Sequence, residues 1–295
     1  QLSIKQNLRR YFDVNRKKSA LLLISIAVVI FAVWTGWENA TVGVTHYTVA
    51  SDRLPQAFNH FKIVVVSDFH NAEFGKENDT LIKLIEKEKP DIIAFTGDLV
   101  DSRRTDIETA EGLVRNLAEI APCYYVTGNH EARLGEQYQK LEKILLEENV
   151  VVLHDRYTEL TRNNEKILIA GLDDPNFTDI NSAVHNSILE TKLDGMNLSD
   201  SYCVLLSHRP EAFEAYTSAG VDLVLSGHAH GGQFRLPFIG GIAAPNQGLF
   251  PKYDGGMYSE SYTTMIVSRG VGNSIIPVRI NNRPEIVCVE LICDE

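Results

Sequence analysis

Asp, His and Asn recur in five short blocks: Ser67-Asp68-Phe69-His70, Gly97-Asp98-Leu99-Val100-Asp101, Gly128-Asn129-His130-Glu131, Ser207-His208-Arg209-Pro210 and Gly227-His228-Ala229-His230. Asp68, His70, Asp98, Asn129, His208, His228 and His230 offer seven oxygen or nitrogen donors and no thiolate. That is more than one four-coordinate zinc site takes. It suits two adjacent ions of five or six coordination, with a shared carboxylate and positions left open for water. Imidazole mixed with carboxylate favours Mn, Fe, Zn or Ni over Ca or Mg, which take all-oxygen cages. Two such ions can clamp the attacking and leaving oxygens of an in-line displacement at phosphorus.

Each block follows a short apolar run that reads as a buried strand: Ile63 to Val66, Ile92 to Phe95, Tyr124 to Val126, Val204 to Leu206 and Val221 to Leu225. The donors therefore stand at strand C-termini, where open α/β sheets place their ligand crevice. Between the strands, Glu77 to Glu88, Asp106 to Glu119 and Gly135 to Glu148 carry apolar residues at helical spacing. Thr41 to Val49 reads as an edge strand, and Tyr157 to Gly171 as strand–turn–strand around Arg162-Asn163-Asn164-Glu165. After His230 strands predominate again. An α/β class with two face-to-face sheets and outer helices, a four-layer α/β/β/α sandwich, accommodates this order.

The order D-x-H, G-D-x-x-D, G-N-H-E, a lone His, then G-H-x-H resembles the calcineurin-like metallophosphoesterase family over roughly Phe61 to Ile292. The strings Ser67-Asp68-Phe69-His70-Asn71 and Ser226-Gly227-His228-Ala229-His230-Gly231-Gly232-Gln233 are similar to the bacterial membrane-associated branch of that family. The resemblance implies that Asp68, His70 and His230 hold one metal and Asn129, His208 and His228 the other. Asp98 would bridge the two, together with a water or hydroxide that acts as nucleophile. His130 matches the histidine that protonates the leaving oxygen or stabilises its charge. Asp101 matches the acid that orients that imidazole. Phosphatase members carry Arg directly after this Asp, and here the position is Ser102. Arg103, Arg104 and Arg209 are the candidates to replace it at the substrate phosphate.

A phosphoesterase cleaving mono- or diesters is the first reading. An alternative is a pyrophosphatase acting on a lipid-linked or nucleotide-sugar substrate of the UDP-diacylglucosamine type. A non-catalytic, metal-stabilised binding module is the further alternative, though degenerate members would be expected to lose Asn129, His130 or a bridging acid. His46, His154 and His185 lie outside the blocks and read as ordinary histidines.

The second signal is N-terminal. Ser19 to Trp37 contains no charged residue, and Trp34 and Trp37 stand at its far end, where amphipathic rings favour the membrane interface. Lys5, Arg9, Arg10, Arg16, Lys17 and Lys18 precede it against Asp13 alone, giving the first eighteen residues +5. The expected organisation is a basic cytoplasmic tail (1–18), a transmembrane anchor (19–37) and a metallophosphoesterase domain (38–295) outside the cytoplasm, as a single-pass protein. A cleaved signal peptide lacks a convincing small-x-small site here. A buried core helix would show an amphipathic face. Arg9-Arg10 only faintly matches a twin-arginine signal.

The whole chain carries −11, so the part beyond residue 18 carries −16. Such a domain is a poor general partner for nucleic acid, and substrate phosphate must be drawn in locally, by metal charge. The expected partners are a phosphate-ester substrate, lipid-linked in one alternative, and the membrane. Cys123, Cys203, Cys288 and Cys293 form no C-x-x-C and read as buried free thiols. The Gly- and Pro-rich apolar stretch from Gln233 to Lys252 is expected to border the active site, either as pocket wall or toward lipid.

Overall fold

The computed structural model describes residues 2–294; Gln1 and Glu295, where the expected tail begins and the expected domain ends, lie outside the described residues. Helix α1 (Leu2–Asn39) leads into strands β1 (Gly43–Ser51) and β2 (Phe61–Val66), followed by α2 (Asp79–Glu88), β3 (Ile92–Thr96), α3 (Ile107–Ala118) and β4 (Cys123–Val126). The one-turn helix α4 (Asn129–Ala132), α5 (Glu136–Glu147) and β5 (Val151–Val152) complete this half. The second half begins with β6 (Arg156–Arg162), β7 (Glu165–Gly171), α6 (His185–Asp194), β8 (Cys203–Leu206), α7 (Phe213–Ser218) and β9 (Leu223–Ser226). Two small hairpins follow, β10 (Arg235–Leu236) with β11 (Gly240–Gly241) and β12 (Ala243–Ala244) with β13 (Gly248–Leu249); β14 (Gly256–Glu260), β15 (Thr263–Val267) and β16 (Glu285–Cys293) close the chain.

Among the described residues these strands form two six-stranded sheets, ordered β1-β16-β2-β3-β4-β5 and β14-β15-β9-β8-β7-β6. Alternation along β2 explains the layering. Ile63 and Val65 join Ile169, Val204 and Leu225 in a core between the sheets, whereas Val64 and Val66 face outward against Leu81 and Ile85 of α2 and Leu113 of α3. A third core packs Leu189 of α6 and Phe213 and Tyr216 of α7 on the far face of the second sheet. Each Leu, Ile or Phe so buried contributes roughly 1.5–3 kcal/mol. The result is the α/β/β/α sandwich, preceded by α1.

The expected helices form two residues late at most, and α3 starts where Asp106 accepts from the Thr109 N–H at 3.1 Å, an N-cap. The β6–β7 turn holds both Asn163 and Asn164 at positive φ, as a two-residue hairpin of the I′ kind requires. Three features were not legible beforehand. Strand β16 inserts between β1 and β2, parallel to the first and antiparallel to the second. Helix α6 forms, and the stretch from Gln233 folds into two hairpins rather than one loop. All four cysteines are free; Cys293 is only half-buried, unlike the other three.

Strands β2, β3 and β4 run parallel, as do β7, β8 and β9, and the loops of the two sheets meet where the His228 N–H donates to Asp68 and His208 Nδ1 to the Thr96 carbonyl. Among the described residues, helix α1 contributes to none of the three cores. Its Arg16–Asn39 portion is long and apolar enough to cross a membrane, and Leu21 to Val33 point their large side chains outward.

Candidate metal centre

The loops carry main-chain strain, and glycines allow them to approach closely. Asp68, His70, Asp98, His228 and His230 all adopt positive φ, between 46° and 67°. Such conformations cost of order 1–3 kcal/mol each and persist where the surroundings over-determine them. A Cβ on Gly128 would lie 2.3 Å from Asp98 Oδ1, and one on Gly227 1.8 Å from Ser67 Oγ. Both glycines therefore let two motif loops touch.

The buried donors gather in two groups. In the first, Asp68 Oδ1 lies 3.3 Å from His230 Nε2, and the Nε2 atoms of His70 and His230 are 3.2 Å apart. In the second, His208 Nε2 is 3.2 Å from Asp98 Oδ2 and 3.1 Å from His228 Nδ1. Asp98 Oδ2 is also 3.6 Å from His70 Nε2, so one carboxylate oxygen faces both groups. Its other oxygen is engaged, accepting from the His130 N–H at 2.7 Å.

These spacings test whether ions fit. Donors about 2.0–2.2 Å from one ion lie about 2.8–3.6 Å from each other at octahedral or tetrahedral angles. The nitrogen pairs fall in that range, and each pair needs either a shared proton or a cation between its lone pairs. Asn129 turns its amide oxygen toward His228 Nδ1; a half-turn of the amide would instead place its NH2 2.8 Å from that nitrogen. Its present orientation is the one a cation favours. The donor set fits two ions.

Outer contacts aim these side chains. His208 Nδ1 donates to the Thr96 carbonyl at 2.8 Å, which leaves Nε2 for the centre. Glu131, fully buried, accepts from the N–H groups of Asp98 at 2.8 Å, Gly128 at 2.7 Å and Val100 at 3.2 Å. Burial, then the nearby Asp98 charge, pushes its carboxyl up to about 7. Asp98 itself is held well below the usual carboxylate range: burial opposes ionisation, and the His208 ring, by charge and by hydrogen bond, outweighs it.

The remaining motif residues are placed less uniformly. His130 faces the cavity, with its Nδ1 accepting from the Ser102 N–H at 2.9 Å and its Nε2 3.1 Å from Ser274 Oγ. Asp101 Oδ1 is 3.8 Å from that Nδ1, beyond hydrogen-bond distance, and accepts instead from the Arg103 N–H at 2.8 Å. Burial lowers the His130 pKa against the opposing pull of Asp98 and Asp101. With Nδ1 accepting from the Ser102 N–H, the ring carries its proton on Nε2.

A cavity of about 370 Å³ opens over the centre. Arg103 lines it, and so does Arg133, which the motifs did not single out. Arg133 stands four residues after Asn129, so helical spacing in α4 was the signal that could have found it. Arg104 is exposed, 3.9 Å from Asp101 Oδ2. Arg209 does not reach the cavity. Its buried guanidinium is bidentate to Asp174, at 2.5 and 2.9 Å, with Nη1 2.9 Å from His228 Nε2. The pairing explains the position, because a buried guanidinium needs a carboxylate partner. Arg279 is also fully buried, 3.4 Å from His230 Nδ1, and nothing in its sequence surroundings marks it. Away from the centre, His46 stands 2.7 Å from Glu88 with Cys288 beside them, and His154 bonds Asp173 and Glu142.

The calcineurin-like phosphoesterase family model matches residues 61–232, more than half of the chain and all five loops. The chain belongs to the calcineurin-like phosphoesterase family. Its relatives in that family include the metallophosphoesterase YkuE of Bacillus subtilis (strain 168), 34% identical over 86% of this chain and 87% of that protein. The transmembrane protein with metallophosphoesterase domain of Bos taurus is 30% identical over 93% of this chain, which spans 63% of the bovine protein. The phosphodiesterase YaeI of Escherichia coli (strain K12) is 28% identical over 79% of this chain and 82% of that one. As a calcineurin-like phosphoesterase, this protein is a phosphoester hydrolase with a candidate dimetal centre.

Proposed function

We propose that this phosphoesterase is anchored by residues 19–37 as a single span, with 1–18 in the cytoplasm and the domain from 38 onward on the other face, and hydrolyses phosphodiester or phosphomonoester bonds. Asp68, His70 and His230 would hold one divalent transition-metal ion, and Asn129, His208 and His228 a second, with Asp98 shared. When bound, the ion pair supplies Lewis acidity that activates an attacking water and offsets phosphate charge. The observation that carries this reading is the position of Asp98 Oδ2, 3.2 Å from one group and 3.6 Å from the other.

The chain's own groups do the rest. Arg103 and Arg133 line the cavity beside the centre and provide guanidinium forks for non-bridging phosphate oxygens. The Nε2–H of neutral His130 donates to the leaving oxygen as charge builds there. Glu131 binds three N–H groups of the Asp98 and Asn129 loops and keeps their register. Arg209, gripping Asp174, braces His228 from behind.

Asp98→Asn tests the assignment. One shared carboxylate is asked to serve two ions, so the variant should bind fewer than two metals by elemental analysis and lose hydrolysis of nitrophenyl phosphate esters. Full turnover with two metals retained would sink it.

A further inference from the structure

The segments that flank the cavity lining carry apolar surface that packing does not use. Phe238 is fully exposed, and Ile239, Leu249, Phe250, Ile275 and Val278 are 41–71% exposed. Three segments supply them: the β10–β11 hairpin, the end of β12–β13 and the loop after Gly272. These segments are bonded together. Gln233 Nε2 donates to the carbonyls of Ile276 and Val278 at 2.9 and 2.7 Å, Arg235 N–H to Ile280 at 3.0 Å, and Phe250 N–H to Ile242 at 2.8 Å.

This rim is fastened to the end of α1. The Asn39 amide donates to the Arg279 carbonyl and accepts from the Arg279 N–H, both at 2.8 Å. The Arg283 guanidinium lies 4.9 Å over the Trp37 ring and donates to Thr41 at 2.9 Å. Arg279 thus joins the helix end to His230 through its own side chain. Asn39 is two residues past Trp37, about 3 Å of helix rise. With Trp37 at the membrane interface, Asn39 and the Arg279 main chain bonded to it fall within the headgroup layer, about 5–8 Å thick on each side of the hydrocarbon.

Resting on the anchor reading above, we propose that the rim is seated in the bilayer surface and that the cavity takes a phosphate ester of a lipid still held in that bilayer. The lining matches such an amphiphile. Arg103 and Arg133 meet the phosphate, while Ala243, Ala244, Pro245 and Ile276, from the segments that also carry the rim, supply apolar lining. A substrate drawn laterally from the membrane reaches the centre with its tails never crossing water. The strongly acidic remainder of the domain is no obstacle, because contact is confined to an apolar edge.

The test uses the full chain reconstituted in phosphatidylcholine vesicles whose acyl chains are brominated. In a background of Trp34→Phe and Trp37→Phe, the single substitution Phe238→Trp should give an indole emission quenched by the bromolipid. Tyr157→Trp, on edge strand β6, should not be quenched. In a second arm, phosphatidic acid in the vesicles should inhibit hydrolysis of soluble bis(nitrophenyl) phosphate at a concentration about tenfold or more below that of glycerol 3-phosphate. That advantage should fall at least several-fold in Phe238→Ser/Phe250→Ser, which should leave basal diester turnover unchanged. A chain that floats with vesicles but shows no quenching at position 238, or equal inhibition by the two phosphates, overturns the seated rim while the anchor stands. A chain that does not float with vesicles overturns the anchor reading itself.

Discussion

His130 and Asp101 show how a motif match and a geometry can diverge at a single residue. The ring nitrogen that an orienting carboxylate would grip accepts from the Ser102 N–H instead. A neutral imidazole held this way donates from Nε2 but does not readily take up the second proton a full proton transfer needs. We expect His130→Ala to keep normal metal content and slow turnover by about 10²–10³, the scale of one lost transition-state donor. The loss should be smaller for nitrophenolate than for an alkoxide leaving group, and equal losses would move the donor to a non-bridging oxygen. Asp101→Asn should cost less than the about 10–100-fold typical of a bonded outer partner. A loss matching that of His130→Ala would mean the carboxylate binds the ring in the working enzyme.

Between elements, two packing features make separate predictions. The β4–α4 turn presses Gly128 onto Asp98, so Gly128→Ala should push the β3 loop away and release metal while the far-ultraviolet circular dichroism stays native. Retention of both ions would show that the two loops give way cheaply. Further from the centre, His154 ties α5 to the loop after β7 by bonds to Asp173 and Glu142, and these raise its pKa to about 9, the Asp173 bond leading. The folded value lies above the ordinary value of about 6.5. The staple therefore contributes fully below about pH 6.5 and fades as pH rises through about 9. Urea midpoints of the wild type and His154→Gln should accordingly converge between pH 6.5 and 9.5; a gap that stays constant would count against the ion pair.

For the whole molecule, the question is which side of the membrane the sandwich occupies. Leu, Ile, Val and Phe each favour insertion by about 0.3–0.6 kcal/mol at a helix centre, and the basic residues before the span resist transfer. The −16 that follows has little say in orientation. Protease added to intact cells or spheroplasts should digest the domain while cytoplasmic markers survive. Protection until the membrane is permeabilised would reverse the orientation and leave the metal chemistry untouched.

Much of this was written locally. The five blocks, the buried runs before them and the helical stripes of Leu81, Leu113 and Leu141 are short-range patterns, because strand and helix periods are properties of neighbouring residues. They sufficed for the sandwich and the family, and they pick out the side chains that the fold gathers into two groups. Other features depend on contacts between distant segments. Strand β16 sits between β1 and β2 because only the closed sheet offers that slot. Arg209 lies off the cavity lining because Asp174, 35 residues earlier, is folded against it. Arg133 and Arg279 become part of the site, and Ser102 displaces Asp101 at His130, through distances of a few Å that no spacing encodes. The seat of the apolar rim at the end of α1 is likewise tertiary, since Asn39 and Arg279 are 240 residues apart and meet only once the last strand has paired with the first.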